Sequence, residues 1–258
     1  MLPEGTLADR IALVTGGGTG LGRATALELA RLGAGVAVMG RRRDPLEETV
    51  AAIGKRAVAV PGDVRDPEQV AAAFEAAEDA LGPLTTLVNN AAGNFLVQAE
   101  DLSPNGWRAV VGIVLDGTFL CSRELGRRLL ARGAGGEIVN VVATYAWTGG
   151  PGTIHSAAAK AGVVNLTRTL AVEWGRHGIR VNALAPGPVD TPQTRERLWP
   201  DEAIRQALLA KIPLGRFGEP GEIANACAYL VSDYASYVNG AVLTIDGGGW
   251  LEKGMFAV

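Results

Sequence analysis

Short runs of apolar and β-branched residues recur along the chain, separated by Ala- and Leu-rich stretches whose apolar positions return with a helical period. The runs fall at 11–14, 35–39, 57–60, 86–88, 137–142, 180–184 and 242–245, and the helical stretches at about 21–32, 45–53, 67–81, 104–132, 156–176 and 221–231. Runs that are apolar throughout, rather than alternately, suit strands covered on both faces, and a helix between successive strands is the crossover a parallel pairing needs. The pattern therefore predicts an α/β fold with a buried parallel sheet. Several of the helical stretches open at a proline that follows a polar residue, as a first helical turn allows.

This order is broken at one place, 186–220, where Pro186, Pro188, Pro192, Pro200 and Pro213 surround a short helical piece at 201–210. Long irregular segments in compact domains tend to be functional, so this one is read as a substrate lid. With 258 residues, 48% hydrophobic and 20% charged, the chain can bury one large core, and 1–258 is read as a single domain. A net charge of -3, scattered rather than in blocks, argues against a nucleic-acid partner. Cys121 and Cys227 lie in apolar stretches without metal or disulfide spacing and are read as buried thiols, with no metal site. No basic start precedes an apolar leader and no apolar run approaches about 18 residues, so no membrane association and a cytoplasmic location are expected.

The turn Thr15-Gly16-Gly17-Gly18-Thr19-Gly20-Leu21-Gly22 follows the first run directly and opens the first helical stretch. Glycines there let the backbone approach a pyrophosphate, whose charge the helix N–H groups and dipole stabilise. Gly16, Thr19, Gly20, Leu21 and Gly22 are thus candidates for dinucleotide binding. The second run ends Gly40-Arg41-Arg42-Arg43, where an NAD site would place an acid. A carboxylate repels a 2'-phosphate and a guanidinium grips it, so the expected cofactor is NADP(H), with Arg41 the main contact. Asp63 and Val64 follow the third run, and Asn89-Asn90-Ala91-Ala92-Gly93 the fourth. Asp63 is a candidate for the adenine amino group, and Asn90, Ala91 and Gly93 for the adenosine side, although turn chemistry explains these residues almost as well.

Together, the turn at 15–22, the segment 89–93, Lys160, Ala185-Pro186-Gly187 and Asp246-Gly247-Gly248 resemble the short-chain dehydrogenase/reductase superfamily over essentially the whole chain. The resemblance implies a doubly wound, seven-stranded Rossmann-like sheet with helices on both faces, and it adds Pro186, Gly187 and Lys160 to the cofactor site. The family's usual tyrosine, serine and asparagine fall here at Ser156, Ala143 and Val114, so that only the lysine of the usual four is kept. An ordinary carbonyl reductase can hardly lose its proton donor and both helpers and keep its mechanism.

The segments Asn90-Ala91-Ala92-Gly93-Asn94-Phe95, Ala143-Thr144-Tyr145-Ala146, Ser156-Ala157-Ala158-Ala159-Lys160 and Leu170-Ala171-Val172-Glu173-Trp174-Gly175 resemble the 2,4-dienoyl-CoA reductase branch, especially its bacterial NADPH-dependent members. In that branch the working tyrosine stands fifteen residues before the lysine, as Tyr145 stands before Lys160. The resemblance makes Tyr145, Asn94, Lys160 and Ser156 the catalytic set, with Tyr145 placed at the end of the fifth strand. It implies hydride addition at C5 of a conjugated dienoyl thioester, a dienolate held by Tyr145 and Asn94, and a 3-enoyl-CoA product of unsaturated fatty acid breakdown. Tyr145 or a water delivers the proton, and sequence does not separate the two. Ser156 is either a partner of Tyr145 or a helix N-cap. Asp116 departs from related sequences, and His155 and His177, without a matching carboxylate or nucleophile, are read as structural.

Other readings stay open at this stage. One is a carbonyl reductase that has recruited Tyr145 as its acid; another is a non-catalytic NADP(H) sensor. Apolar residues on more than one face of 104–132 and 156–176 suit burial against another subunit, and the resemblance implies a tetramer. Arg195, Arg197, Arg205 and Lys211 are candidates for the CoA phosphates, though a solvated helix face explains them as well.

Overall fold

A computed structural model describes residues 2–197 and 201–251. Seven parallel strands, β1 (Ile11–Thr15), β2 (Gly35–Gly40), β3 (Ala57–Pro61), β4 (Thr86–Asn89), β5 (Gly136–Val141), β6 (Ile179–Pro186) and β7 (Val242–Ile245), form one sheet in the order β3-β2-β1-β4-β5-β6-β7. The expected doubly wound, Rossmann-like α/β fold is therefore present. The chain winds outward from β1 in one direction and from β4 in the other, so the crevice between their carboxyl ends is the place where such folds receive ligands.

The strands are continuous apolar runs because both faces are covered. Helices α1 (Gly20–Arg31), α2 (Arg43–Ile53) and α10 (Pro220–Val231) accompany a core layer built from Val14, Val36, Leu29 and Val231. On the other face α3 (Pro67–Leu81), α5 (Gly117–Arg132) and α7 (Ile154–Gly175) accompany Leu13, Phe74, Leu125 and Ile138. The prolines behave as first-turn residues. Asp66 before Pro67 accepts the Glu68 and Gln69 N–H groups, and Ser103 before Pro104 accepts that of Gly106, so each cap satisfies donors the helix leaves free.

One expected helix is broken. In place of a continuous 104–132 there are α4 (Pro104–Val111), a π-helical turn at Gly112–Asp116, and α5. Glycines open the turn and follow it, and the second has no room for a side chain: a Cβ on Gly117 would stand 2.6 Å from a Val64 methyl. Wider turns of this kind gather at functional sites.

Three further expectations change. Tyr145 does not end β5; it opens the one-turn helix α6 (Tyr145–Thr148), because the chain folds back after β5 and the Ala146 N–H reaches the Ala143 carbonyl at 3.0 Å. Helix α7 starts at Ile154, earlier than expected, with Thr153 in the cap position, so Ser156 lies inside the first turn and is not the N-cap. Finally, 186–220 holds two short helices, α8 (Pro192–Arg197) and α9 (Glu202–Leu209); Pro192 starts the first rather than interrupting one. The Asp190 carboxylate ties them together, accepting from Arg195 at 2.6 and 2.8 Å and from Arg205 at 3.3 Å. Those two candidates for CoA phosphates are thus paired within the chain, and the Arg197 side chain lies outside the described residues.

A buried polar network stiffens the sheet below the crevice. Asn89 donates to Ser122 Oγ at 2.9 Å and to Asn140 Oδ1 at 2.8 Å, while Asn140 donates to Thr167 Oγ1 at 2.9 Å. It joins β4 and β5 to α5 and α7 with each amide donor satisfied, as buried amides require. Cys121 and Cys227 are buried free thiols, both pushed up to about 12 by burial. Among the described residues no helix is long and apolar enough to cross a membrane.

Candidate active site

A cavity of about 520 Å3 opens at the carboxyl ends of β1, β4, β5 and β6. Gly16, Thr19, Gly20, Leu21, Asn90, Ala91, Gly93, Asn94, Tyr145, Ser156, Lys160, Pro186 and Gly187 all line it, so residues distant in sequence meet in one crevice.

The β1–α1 turn is shaped for close approach of a ligand backbone. Gly16 has φ of +65°, and a Cβ there would stand 2.9 Å from the Asn90 amide nitrogen. Gly22 does not line the cavity. It lets α1 pack directly on the turn, since a Cβ would meet the Gly16 carbonyl oxygen at 2.2 Å. Thr15, not singled out by the sequence, locks the neighbouring loop: its hydroxyl accepts from the Asn90 and Ala91 N–H groups, both at 3.0 Å. Its position at the strand end, ahead of the first glycine, was the available signal.

Arg41, Asp63 and Val64 stand apart from the cavity lining. Arg41 is exposed at the end of β2, whereas Arg43 is engaged by Glu47 at 3.2 Å. The Asp63 carboxylate is held below its ordinary pKa by hydrogen bonds from the Arg65 guanidinium, with a smaller contribution from the charge of Arg41. Val64 is buried beside Gly117, so its side chain serves packing. The glycine turn at a helix N-terminus and the buried lysine that lines the same cavity fit a nicotinamide dinucleotide.

The polar wall of the cavity is built from three segments. Tyr145 hydroxyl and Ser156 hydroxyl stand 3.1 Å apart. Burial raises the Tyr145 pKa, partly offset by the bond to Ser156, so the phenol stays protonated at neutral pH and can donate. Asn94, which lines the cavity, accepts the Phe95 N–H through Oδ1 at 3.0 Å, so its amide keeps two N–H donors for other partners. Lys160 Nζ donates to the Val141 carbonyl at 2.5 Å, and burial lowers its pKa to about 8. Val141 is a contact that sequence reasoning could not find, because it acts through its backbone.

From residue 16 to 249 the chain matches the family model described as enoyl-(acyl carrier protein) reductase, one of the short-chain dehydrogenase models. The chain belongs to the short-chain dehydrogenase/reductase family. A probable 2,4-dienoyl-CoA reductase of Bacillus subtilis, described as (2E)-enoyl-CoA-producing, is 47% identical over 95% of this chain and 98% of that protein. A peroxisomal 2,4-dienoyl-CoA reductase of Arabidopsis thaliana, described as (3E)-enoyl-CoA-producing, is 42% identical over 95% of this chain and 85% of that protein. Among solved structures, a short chain dehydrogenase from Bacillus anthracis is 44% identical with a TM-score of 0.88, covering 97% of this chain and all of that one. An Agrobacterium tumefaciens protein crystallised with NADP is 39% identical with a TM-score of 0.88, covering 98% of this chain and 100% of that one.

This short-chain reductase is an oxidoreductase in which Ser156, Ala143 and Val114 stand where the resemblance would place tyrosine, serine and asparagine. Val114, at the usual asparagine position, is buried in the π turn, where its carbonyl accepts from the Thr118 hydroxyl at 2.6 Å. Ala143 lines the cavity without a polar atom on its side chain. Asp116 is exposed and outside the lining, so it takes no part in the cavity wall.

Proposed function

We propose that this protein uses NADPH to reduce 2,4-dienoyl-CoA thioesters to 3-enoyl-CoA in unsaturated fatty acid breakdown. The observation that supports this reading is that two neutral side chains able to donate, Tyr145 and Asn94, line the same cavity as Lys160, while the family's usual proton-donor position is the serine that bonds Tyr145. A dienoyl thioester needs its oxygen stabilised as charge arrives through two double bonds, far from the carbon reduced. Two preorganised donors supply that, and loss of one costs about 10²- to 10³-fold in rate.

Gly16, Thr19, Gly20 and Leu21 would hold the pyrophosphate, Arg41 the 2'-phosphate, and Asn90, Ala91, Gly93, Pro186 and Gly187 the remaining edges of the dinucleotide. NADPH supplies hydride when bound. Lys160, which donates to the Val141 carbonyl, would hold the ribose hydroxyls and would add positive charge near the developing anion. Tyr145 and Asn94 hold the thioester oxygen, and Ser156 keeps the phenol aimed at it. The α carbon, C2, adjoins the thioester carbon, so a proton passed from Tyr145 or an attendant water arrives there and leaves a 3-enoyl product. Protonation at C4 would require an acid further along the acyl chain.

Segment 186–220 would act as the lid over the acyl-CoA. A homotetramer, assembled through the exposed apolar residues of α5 and α7 such as Phe119 and Val172, and a cytoplasmic location complete the proposal. With the purified protein, NADPH absorbance should fall on adding 2,4-hexadienoyl-CoA and stay flat with 3-oxoacyl thioesters. The reverse result would replace this reading by carbonyl reduction, for which the Tyr145–Ser156 pair beside Lys160 could also serve.

A further inference from the structure

His155 is fully buried next to Ser156, and its environment is unusual for a histidine that only fills space. Its Nδ1 accepts the Ser156 backbone N–H at 2.8 Å, which fixes the proton of the neutral ring on Nε2. That Nε2 is buried and has no hydrogen-bond partner among the described residues. A leucine or phenylalanine would fill the same space without stranding a donor, so what distinguishes the imidazole here is the acceptor at Nδ1 and the contact its ring makes.

The ring meets Phe95 edge to face, with centroids 4.5 Å apart and planes at 82°. On another side Phe95 rests on the first turn of α4, where a Cβ on Gly106 would stand 3.1 Å from its Cζ. Phe95 is thereby held between α4 and α7, and its N–H is the donor that orients the Asn94 amide. Through Nδ1 the same imidazole fixes the backbone of Ser156, whose hydroxyl holds Tyr145. His155 therefore stands one contact from the support of each oxyanion donor.

We propose that His155 is a positioning residue that keeps Asn94 and Tyr145 at the separation one thioester oxygen requires. The proposal rests on the dienoyl-CoA reading. It places the histidine outside the reacting atoms, with its effect on turnover transmitted through Phe95 and Ser156.

The test uses His155→Phe, which keeps a ring against Phe95 but no acceptor, His155→Asn, which keeps an acceptor but no ring, and Phe95→Leu, at a partly exposed site that tolerates change. Each is expected to lower kcat on 2,4-hexadienoyl-CoA by about tenfold or more with the KM for NADPH little changed, and Phe95→Leu, at the partly exposed position, to do so with the melting temperature little changed as well. The pair His155→Asn with Phe95→Leu should lose no more than the worse single variant, because both break one contact. Wild-type kcat in the three variants, additive losses in the pair, or losses matched by a risen KM for NADPH would each overturn the role of His155. A wild-type protein inactive on the dienoyl thioester would instead overturn the reading on which it rests.

Discussion

The hydroxyls of Tyr145 and Ser156 are hydrogen-bonded at 3.1 Å, although the first opens α6 and the second sits in the first turn of α7. Ser156 occupies the family's usual tyrosine position, and the phenol of Tyr145 comes within hydrogen-bond distance of its hydroxyl from the preceding short helix. Tyr145→Phe should therefore lower kcat by about 10²-fold or more while leaving the Kd for NADPH unchanged. Ser156→Ala should lose less, and the double variant should match Tyr145→Phe alone, since the serine acts through the phenol. Steady-state kinetics with a fluorescence titration of NADPH checks all three, and unchanged turnover in Tyr145→Phe would remove the phenol from the mechanism.

Lys160 sets a pH dependence. Burial brings its pKa from 10.5 down to about 8 in the folded protein. The charge is present below about 8 and lost as pH rises through it, so kcat/KM for the free enzyme should decline over that range. Stability runs the other way. Between 10.5 and 8 unfolding takes up a proton, so stability falls as pH falls across that window and levels off below, a cost of roughly 3 kcal/mol at pH 7. Lys160→Met should accordingly resist urea better than the wild type at pH 7 and turn over far more slowly.

Arg41 should decide between the two nicotinamide dinucleotides. It is exposed at the end of β2, while Arg43 is paired with Glu47, so it is a guanidinium open to a 2'-phosphate, as is the exposed Arg42 beside it. Arg41→Ala should raise the KM for NADPH by about tenfold or more and leave that for NADH nearly as it was, because charge-assisted hydrogen bonds of this kind are the strong ones. Equal effects on both cofactors would contradict the assignment.

The position of the product double bond is a sharper test of the donors' placement. The relatives' descriptions divide, (2E)-enoyl in Bacillus subtilis and (3E)-enoyl in Arabidopsis thaliana. With Tyr145 at the thioester oxygen, proton NMR of the product should show the 3-enoyl ester. A 2-enoyl ester formed directly would mean that an acid elsewhere protonates C4.

Gly22→Ala should abolish NADPH binding without touching any ligand. The added methyl would meet the Gly16 carbonyl oxygen at 2.2 Å and the Asn90 amide nitrogen at 2.5 Å, displacing both cradle loops. Tight NADPH binding by this variant, in a fluorescence titration, would show that α1 can shift without cost.

The order of strands and helices was legible in the sequence because each element announces itself within a few residues, through an apolar run, a proline behind a polar cap, or glycines after a strand. The spacing of Tyr145, Ser156 and Lys160 was legible for the same reason, being local to one β–α connection. What required the folded chain was everything carried by contacts between distant segments or by backbone atoms. Parallel registry brings the end of β4 beside that of β1, so Thr15 can hold Asn90 and Ala91. The Val141 carbonyl becomes the partner of Lys160 only once α7 packs on β6, the neighbour of β5. Gly117, which follows the break in the helix over 104–132, packs on Val64 from a distant segment, and the place of Phe95 between Gly106 and His155 depends on packing among three segments. A residue pattern records which side chains are apolar and where turns fall; it does not record which backbone oxygen or ring face will be the neighbour, because that is set by the whole sheet closing at once.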